Sequence, residues 1–286
     1  MGQVKRAFLG TGLNGAGFAE AACGRGDEVA VWNRTVAKAE ALTSFGARLG
    51  TDPADAARGA TRVHITLTSD AAVDEVIERA KPGLEDGAIL LDHSTTAPVK
   101  TAARTKRLAA EGLRYLHCPV FMSPKFCREA KGIMLAAGPK ALFGEVEADL
   151  VPMTGKVMFL GEDPSRAATL KLVGNGMLLS VIGGLSDVLT LAAQQGVEPD
   201  QALMLFEHFQ LGNVLKGRGA QMAAKNFATS WTLTMARKDL SLMVEAAEGG
   251  SLAVFDGLGS RMDALIADGE GEKDVAVLAR DVGKKA

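Results

Sequence analysis

The chain has little of what staples or ligates a protein from outside its core. Its three cysteines, Cys23, Cys118 and Cys127, are an odd number at spacings that match no zinc motif, which argues against a disulfide framework and for a reduced compartment. The four histidines, His64, His93, His117 and His208, form no metal-ligand spacing either. Charge of one sign is also missing: 32 Lys and Arg stand against 34 Asp and Glu with no block of either, so nothing recommends nucleic acid or an anionic membrane as a partner. The opening residues show no basic, apolar and small-residue export pattern, and no apolar run reads as long enough to span a bilayer. The expected location is therefore cytoplasmic and the expected ligand small. Repeats and low-complexity segments are absent as well.

What is present is a strand, a glycine turn, a helix and a second strand within the first thirty-five residues. Ala7-Phe8-Leu9 ends an apolar run begun at Val4, Gly10-Thr11-Gly12-Leu13-Asn14-Gly15 follows, and Val29-Ala30-Val31-Trp32 runs into Asn33-Arg34-Thr35. In this context Gly10 permits the tight turn, Gly12 lets backbone approach a pyrophosphate, and Gly15 lets the helix pack on the strand with its N-terminus toward the phosphates. An NAD-preferring site usually presents a carboxylate after the second strand. This chain presents Asn33, with Arg34 and Thr35 placed to hold a 2′-phosphate, so NADP(H) is the expected cofactor.

With 286 residues and roughly 150 per domain as a prior, about two domains are expected. Alternating helical and strand patterns continue through Val36 to Phe45, Ala47 to Leu49, Arg62 to Leu67, Ala71 to Ala80, Ala88 to Asp92, Val99 to Glu111 and Leu113 to Leu116, and close at Val157 to Leu160. They predict an α/β fold: an N-terminal Rossmann doubly wound sheet over residues 1–162, then an all-α domain over 163–286, joined by a long interdomain helix. That helix begins after Asp163-Pro164-Ser165 and reaches about Gly196. It is apolar almost all round, so it is expected to be enclosed by its neighbours or by a second subunit. Gly174, Gly176, Gly183 and Gly184 inside it suggest close packing or a bend.

Lys171 and Asn175 lie four apart near the start of this helix, hence on one face. Surrounded by Leu170, Leu172 and Val173, Lys171 is either partly desolvated, with a lowered pKa that suits a proton donor, or extended to solvent.

These segments resemble, in order, the blocks of the β-hydroxyacid dehydrogenases, the family of 3-hydroxyisobutyrate dehydrogenase and the glyoxylate or succinic semialdehyde reductases. The matching blocks are Gly10 to Gly15 with Val31 to Thr35, Asp92-His93-Ser94-Thr95-Thr96-Ala97-Pro98, Leu170 to Asn175, and Arg237-Lys238-Asp239-Leu240. The resemblance implies NADPH-dependent reduction of a small aldehyde or ketone, or oxidation of the matching hydroxyacid or alcohol, in a homodimer or larger homo-oligomer. It assigns Lys171 as general acid/base and Asn175 as its partner. It sets Leu67 and Thr68 on the adenosine and pyrophosphate side, Thr95 by the nicotinamide ribose, Lys238 over the cofactor, and Ser94 toward the substrate.

The departures lie at the substrate end. Where the family reads Asp-Ala-Pro-Val-Ser-Gly-Gly, this chain reads His117-Cys118-Pro119-Val120-Phe121-Met122-Ser123, followed by Pro124. Phe121 replaces a hydroxyl, Met122 and Ser123 replace paired glycines, and Pro124 removes a backbone donor, so an anion nest is hard to build. A bulkier, less acidic substrate contacting Phe121, Met122 and Ser123 is expected. Phe121 and Met122 read equally as core residues ending a strand. Asn14 stands where the family has methionine, with no role assignable from sequence. His93 and His117 follow strand ends on the ligand side and read either as satisfied structural imidazoles or as substrate contacts. Two rival functions share the scaffold: imine reduction, and a catalytically silent NADP-binding sensor. Retention of Lys171 speaks against both.

Overall fold

The computed structural model describes residues 4–283. The first half alternates as expected: β1 (Lys5–Leu9), α1 (Leu13–Gly24), β2 (Glu28–Trp32), α2 (Val36–Glu40), β3 (Arg48–Leu49), α3 (Pro53–Ala57), β4 (Arg62–Ile65), α4 (Asp70–Ala80), β5 (Ile89–Asp92), α5 (Pro98–Ala110) and β6 (Arg114–His117). These strands form one parallel sheet in the order β3-β2-β1-β4-β5-β6. The order reverses between β1 and β4, and in such sheets the crevice beyond the strand C-termini at that point takes the ligand. Every residue of β5 is buried, as its near-continuous apolar run requires of a strand covered on both faces. One layer of core gathers Phe8, Phe18, Val31, Ile89 and Leu91, the other Leu9, Ile65, Ile77, Leu90 and Leu108.

Two expectations change here. Val36 to Phe45 is not one helix: after Glu40 the chain tightens into a 3-10 turn, Ala41–Phe45. The Thr43 and Ser44 hydroxyls donate to the carbonyls of Glu40 and Ala41, three residues back, which draws those carbonyls out of the α pattern. The doubly wound sheet also stops at His117 rather than near residue 160. Pro119 interrupts the chain, and β7 (Val120–Phe121), β8 (Ile133–Ala136) and β9 (Lys156–Phe159) build a separate three-stranded sheet, antiparallel then parallel, with α6 (Pro124–Arg128) and α7 (Lys140–Leu150) between them.

The rest of the described chain is helical: α8 (Ser165–Gln194), α9 (Pro199–His208), α10 (Leu211–Ala223), α11 (Leu233–Ala246) and α12 (Phe255–Ala267). Two compact units divide between Asn175 and Gly176, inside α8. Unit two has its own core of Leu233, Leu240, Met262, Leu265 and Val277. Within it the Asp187 carboxylate accepts the backbone N–H groups of Ala253, Val254 and Phe255, capping the start of α12. Buried Asp274 likewise gathers the N–H groups of Ser230, Trp231 and Ala276 and the Arg218 guanidinium.

The helix α8 overturns one sequence reading and narrows another to its second alternative, a second subunit. By length and composition it is apolar enough to cross a membrane, because glycine and serine interrupt its apolar residues without making the stretch polar. Nor is it enclosed by its own chain: Val173, Leu179 and Ile182 are all more than 60% exposed, and only 6% of its most apolar stretch is buried.

Inside the parallel sheet His64 and His93 form a buried pair, with His64 Nδ1 3.0 Å from His93 Nε2. His93 Nδ1 lies 2.8 Å from the Cys118 carbonyl oxygen and His64 Nε2 3.4 Å from an Arg6 nitrogen. Burial holds both imidazoles below their usual range, His93 at about 4, and it lowers His117 too. The unfolded chain binds protons at these sites below about pH 6.5 while the folded chain refuses them, so stability present at neutral pH is lost as pH falls from about 6.5 toward 4. We expect the urea midpoint at pH 5 to lie below that at pH 7, with up to about 1.4 kcal/mol lost per histidine per pH unit. Equal midpoints would contradict neutral burial.

Candidate functional site

The glycine turn is dictated by contact. Gly10 leaves β1 at φ +97°, and a Cβ there would stand 2.3 Å from the Thr66 carbonyl oxygen. At Gly15 a Cβ would meet the Gly10 carbonyl oxygen at 2.0 Å, so α1 rests directly on the turn. Gly12, by contrast, has nothing within 4 Å of its Cβ position and opens onto a cleft. It begins α1, whose first N–H groups no side chain caps, and Leu13 beside it is exposed. Thr11 is buried, and its hydroxyl has no partner among the described residues. An open cradle, uncapped helix donors and an unpartnered buried hydroxyl together fit a pyrophosphate.

Asn33 does more than fill the place of a carboxylate. Its Oδ1 accepts from Thr11 N at 3.1 Å and its Nδ2 donates to the Thr35 carbonyl at 2.9 Å, so one amide ties the glycine turn to the start of α2. Arg34 and Thr35 are exposed and line a 170 Å³ cleft together with Gly12, Leu67, Thr68 and Lys38. Lys38 escaped the sequence reading. A second cation in the first turn of α2, just behind Arg34 and Thr35, was the available signal.

A buried network sets the next loop. Asp92 accepts from the Tyr115 hydroxyl at 2.7 Å and from Ser94 N at 2.9 Å, while Ala97 N donates to Asp70, itself paired with Arg104. Ser94 is 2% exposed, and its hydroxyl oxygen accepts from Leu67 N at 2.9 Å, so it braces the cofactor loop rather than facing open space. Thr95 is exposed at the C-terminal end of β5. His93 and His117 are both buried: His117 Nε2 is shared between Thr96 Oγ1 at 3.1 Å and the Ser94 carbonyl at 3.0 Å.

At the start of α8, Lys171 is 8% exposed, and its Nζ donates to Asn175 Oδ1 at 2.9 Å. Burial pushes the ammonium below the usual lysine range, and no carboxylate pairs with it among the described residues. The Phe121 ring centroid lies 4.0 Å from Lys171 Nζ. Next along the loop, the Met122 carbonyl accepts from Asn14 Nδ2 at 3.1 Å, which gives Asn14 a role: it joins the glycine turn to the Phe121 loop. Ser123 Oγ accepts from Phe126 N at 3.2 Å and caps α6. In unit two, Lys238 is exposed on α11 and paired with Asp239 at 2.8 Å.

Residues 5–161, over half of the chain, match the family described as the NAD binding domain of 6-phosphogluconate dehydrogenase. Glyoxylate/succinic semialdehyde reductase 1 of Arabidopsis thaliana is 27% identical over 251 residues, covering 86% of each chain. The cytokine-like nuclear factor N-PAC of Homo sapiens is 27% identical over 244 residues, 84% of this chain, which spans only 44% of that protein. Among solved structures, the Streptomyces aurantiacus imine reductase superposes with a TM-score of 0.88 at 26% identity, covering 98% of this chain and 100% of that one. The glycine turn, the parallel sheet with its reversal of strand order and the family match coincide, and the chain belongs to the family of the NAD binding domain of 6-phosphogluconate dehydrogenase.

Proposed function

We propose that this chain is an NADPH-dependent reductase of a small aldehyde or ketone, oxidising the corresponding alcohol or hydroxyacid in reverse, with Lys171 as the proton donor. The observation that carries this reading is the buried Lys171 ammonium held 2.9 Å from Asn175 Oδ1, with burial lowering its pKa. Gly10, Gly12 and Gly15 would hold the dinucleotide, whose bound nicotinamide supplies the hydride. Asn175 takes one ammonium hydrogen and fixes the direction of the others. Lys171 passes a proton to the carbonyl oxygen as that oxygen gains charge, and the resulting amine recovers a proton from solvent.

Arg34, Thr35 and Lys38 support the choice of NADPH, since two cations and a hydroxyl converge on one cleft. Arg34→Ala is expected to weaken NADPH by on the order of 1.5 to 3 kcal/mol, the worth of a charge-assisted phosphate contact, and to leave NADH nearly unchanged. Equal losses in fluorescence titrations of both cofactors would remove the 2′-phosphate role.

Imine reduction stays as a second reading because the Streptomyces aurantiacus imine reductase shares the fold at 26% identity and the Phe121 loop lacks an anion nest. A panel of aldehydes, 2-ketoacids and cyclic imines, followed by NADPH oxidation, separates the readings. Aldehyde or ketone turnover is expected. Imines turned over alone would replace the carbonyl reading, and tight NADPH binding with no turnover would point to a silent sensor. We assign a homodimer to the exposed apolar stripe of α8 and a cytoplasmic location to the chain; a monomer by sedimentation equilibrium would remove the former.

A further inference from the structure

A glycine in α8 makes room for one aromatic ring. A Cβ on Gly174, three residues after Lys171 in α8, would lie 2.3 Å from Phe121 Cζ, so the helix is notched where the ring sits. Gly132, just before β8 at φ +101°, would place a Cβ 2.6 Å from the Phe121 carbonyl oxygen, so the backbone of the loop also lies close. The ring rests on Leu135, Ala137 and Ala167 and presents itself to Lys171 Nζ at 4.0 Å. A partly desolvated ammonium over an aromatic face is attracted by the ring quadrupole. A smaller side chain ending the strand would not need the notch at Gly174.

The same ring decides what else can stand beside the lysine. It offers a carboxylate no hydrogen-bond donor, while its apolar surface accepts hydrocarbon. The loop beyond it is poor in donors for an anion: Pro124 has no N–H, the Phe126 N–H is taken by Ser123 Oγ, and Asn14 Nδ2 spends a hydrogen on the Met122 carbonyl, which leaves the Ser123 hydroxyl hydrogen. We propose that Phe121 is the positioning residue for Lys171 and the specificity-determining residue of the site, selecting carbonyl compounds with an uncharged apolar substituent over those bearing a carboxylate. This rests on the assignment of Lys171 as proton donor.

Butanal and succinic semialdehyde, equal in length and differing by a terminal carboxylate, test it in the full-length enzyme with NADPH. Wild type is expected to favour butanal at least ten-fold in kcat/KM. Phe121→Ser should shrink that ratio at least ten-fold, chiefly through a lower KM for the charged aldehyde, and Phe121→Leu, which adds no donor, should keep butanal favoured. A wild-type preference for succinic semialdehyde, or an unchanged ratio in Phe121→Ser, overturns the specificity role. Positioning is read without turnover, by NMR of protein labelled at the lysine ε-carbons. The Lys171 signal, identified by its loss in Lys171→Arg, should lie upfield through the ring current and revert in Phe121→Leu. An unshifted signal overturns the positioning role even in an active enzyme. A shifted signal with turnover of neither aldehyde overturns the reductase reading, and the substrate selection with it, and leaves the positioning standing.

Discussion

Lys171→Ala is expected to cut kcat for carbonyl reduction by roughly 10²–10⁴-fold, the usual worth of a positioned general acid, with NADPH affinity unchanged. The substitution removes a buried ammonium that no carboxylate neutralises, so thermal stability should hold or rise, and the loss is then chemical rather than structural. The pH dependence carries a second check. Reduction needs the ammonium, so its rate falls as pH rises through the Lys171 pKa; oxidation needs the amine, and its rate rises through the same value. Burial places that shared inflection below the ordinary lysine value of about 10.4. Turnover untouched by the substitution, or limbs with the same sign in both directions, would refute the assignment.

Gly15→Ala and Gly12→Ala are expected to fail in different ways. The added methyl at Gly15 would press on the Gly10 carbonyl at 2.0 Å, a backbone atom that no rotamer change moves. Helix and turn must separate, at about 1–3 kcal/mol or more for overpacking, and the cofactor cradle opens with them. The methyl at Gly12 meets nothing within 4 Å among the described residues and projects into the cleft where a pyrophosphate would approach. Gly15→Ala should therefore lose both melting temperature and NADPH binding, whereas Gly12→Ala should melt like wild type and still lose at least ten-fold in NADPH affinity. Intact cofactor binding in Gly12→Ala would place the pyrophosphate elsewhere.

The parallel sheet and its turn were legible because each depends on local pattern. Glycines at fixed intervals between two apolar runs admit few structures, and the 30-residue α8 announced itself by length. The second sheet was not legible, since β7 has only two residues and Pro119 hides the change of sheet inside an apparently continuous alternation. Site residues divide along the same line. Lys171 and Asn175 are helical neighbours and could be paired on paper. Asn14 and Met122 are 108 residues apart, and a hydrogen bond from a side chain to a distant carbonyl leaves no periodic trace. Ser94 hid its partner for a related reason: its Oγ accepts from Leu67 N, a backbone donor 27 residues away that no periodic pattern reveals. Composition gave α8 its apolar surface but could not say that its own chain leaves the surface open.

The histidine pair inside the sheet has one more consequence. A carbonyl oxygen only accepts, so the 2.8 Å contact with Cys118 requires His93 Nδ1 to carry the hydrogen. Neutral His93 then accepts at Nε2, which requires His64 to donate from Nδ1 and leaves its Nε2 to accept from Arg6. Both tautomers are thereby assigned, and the hydrogens from β1 across to the end of β6 all point one way. Reversing any one of them sets two donors or two lone pairs face to face, so the interior of the sheet is polarised from Arg6 toward Cys118.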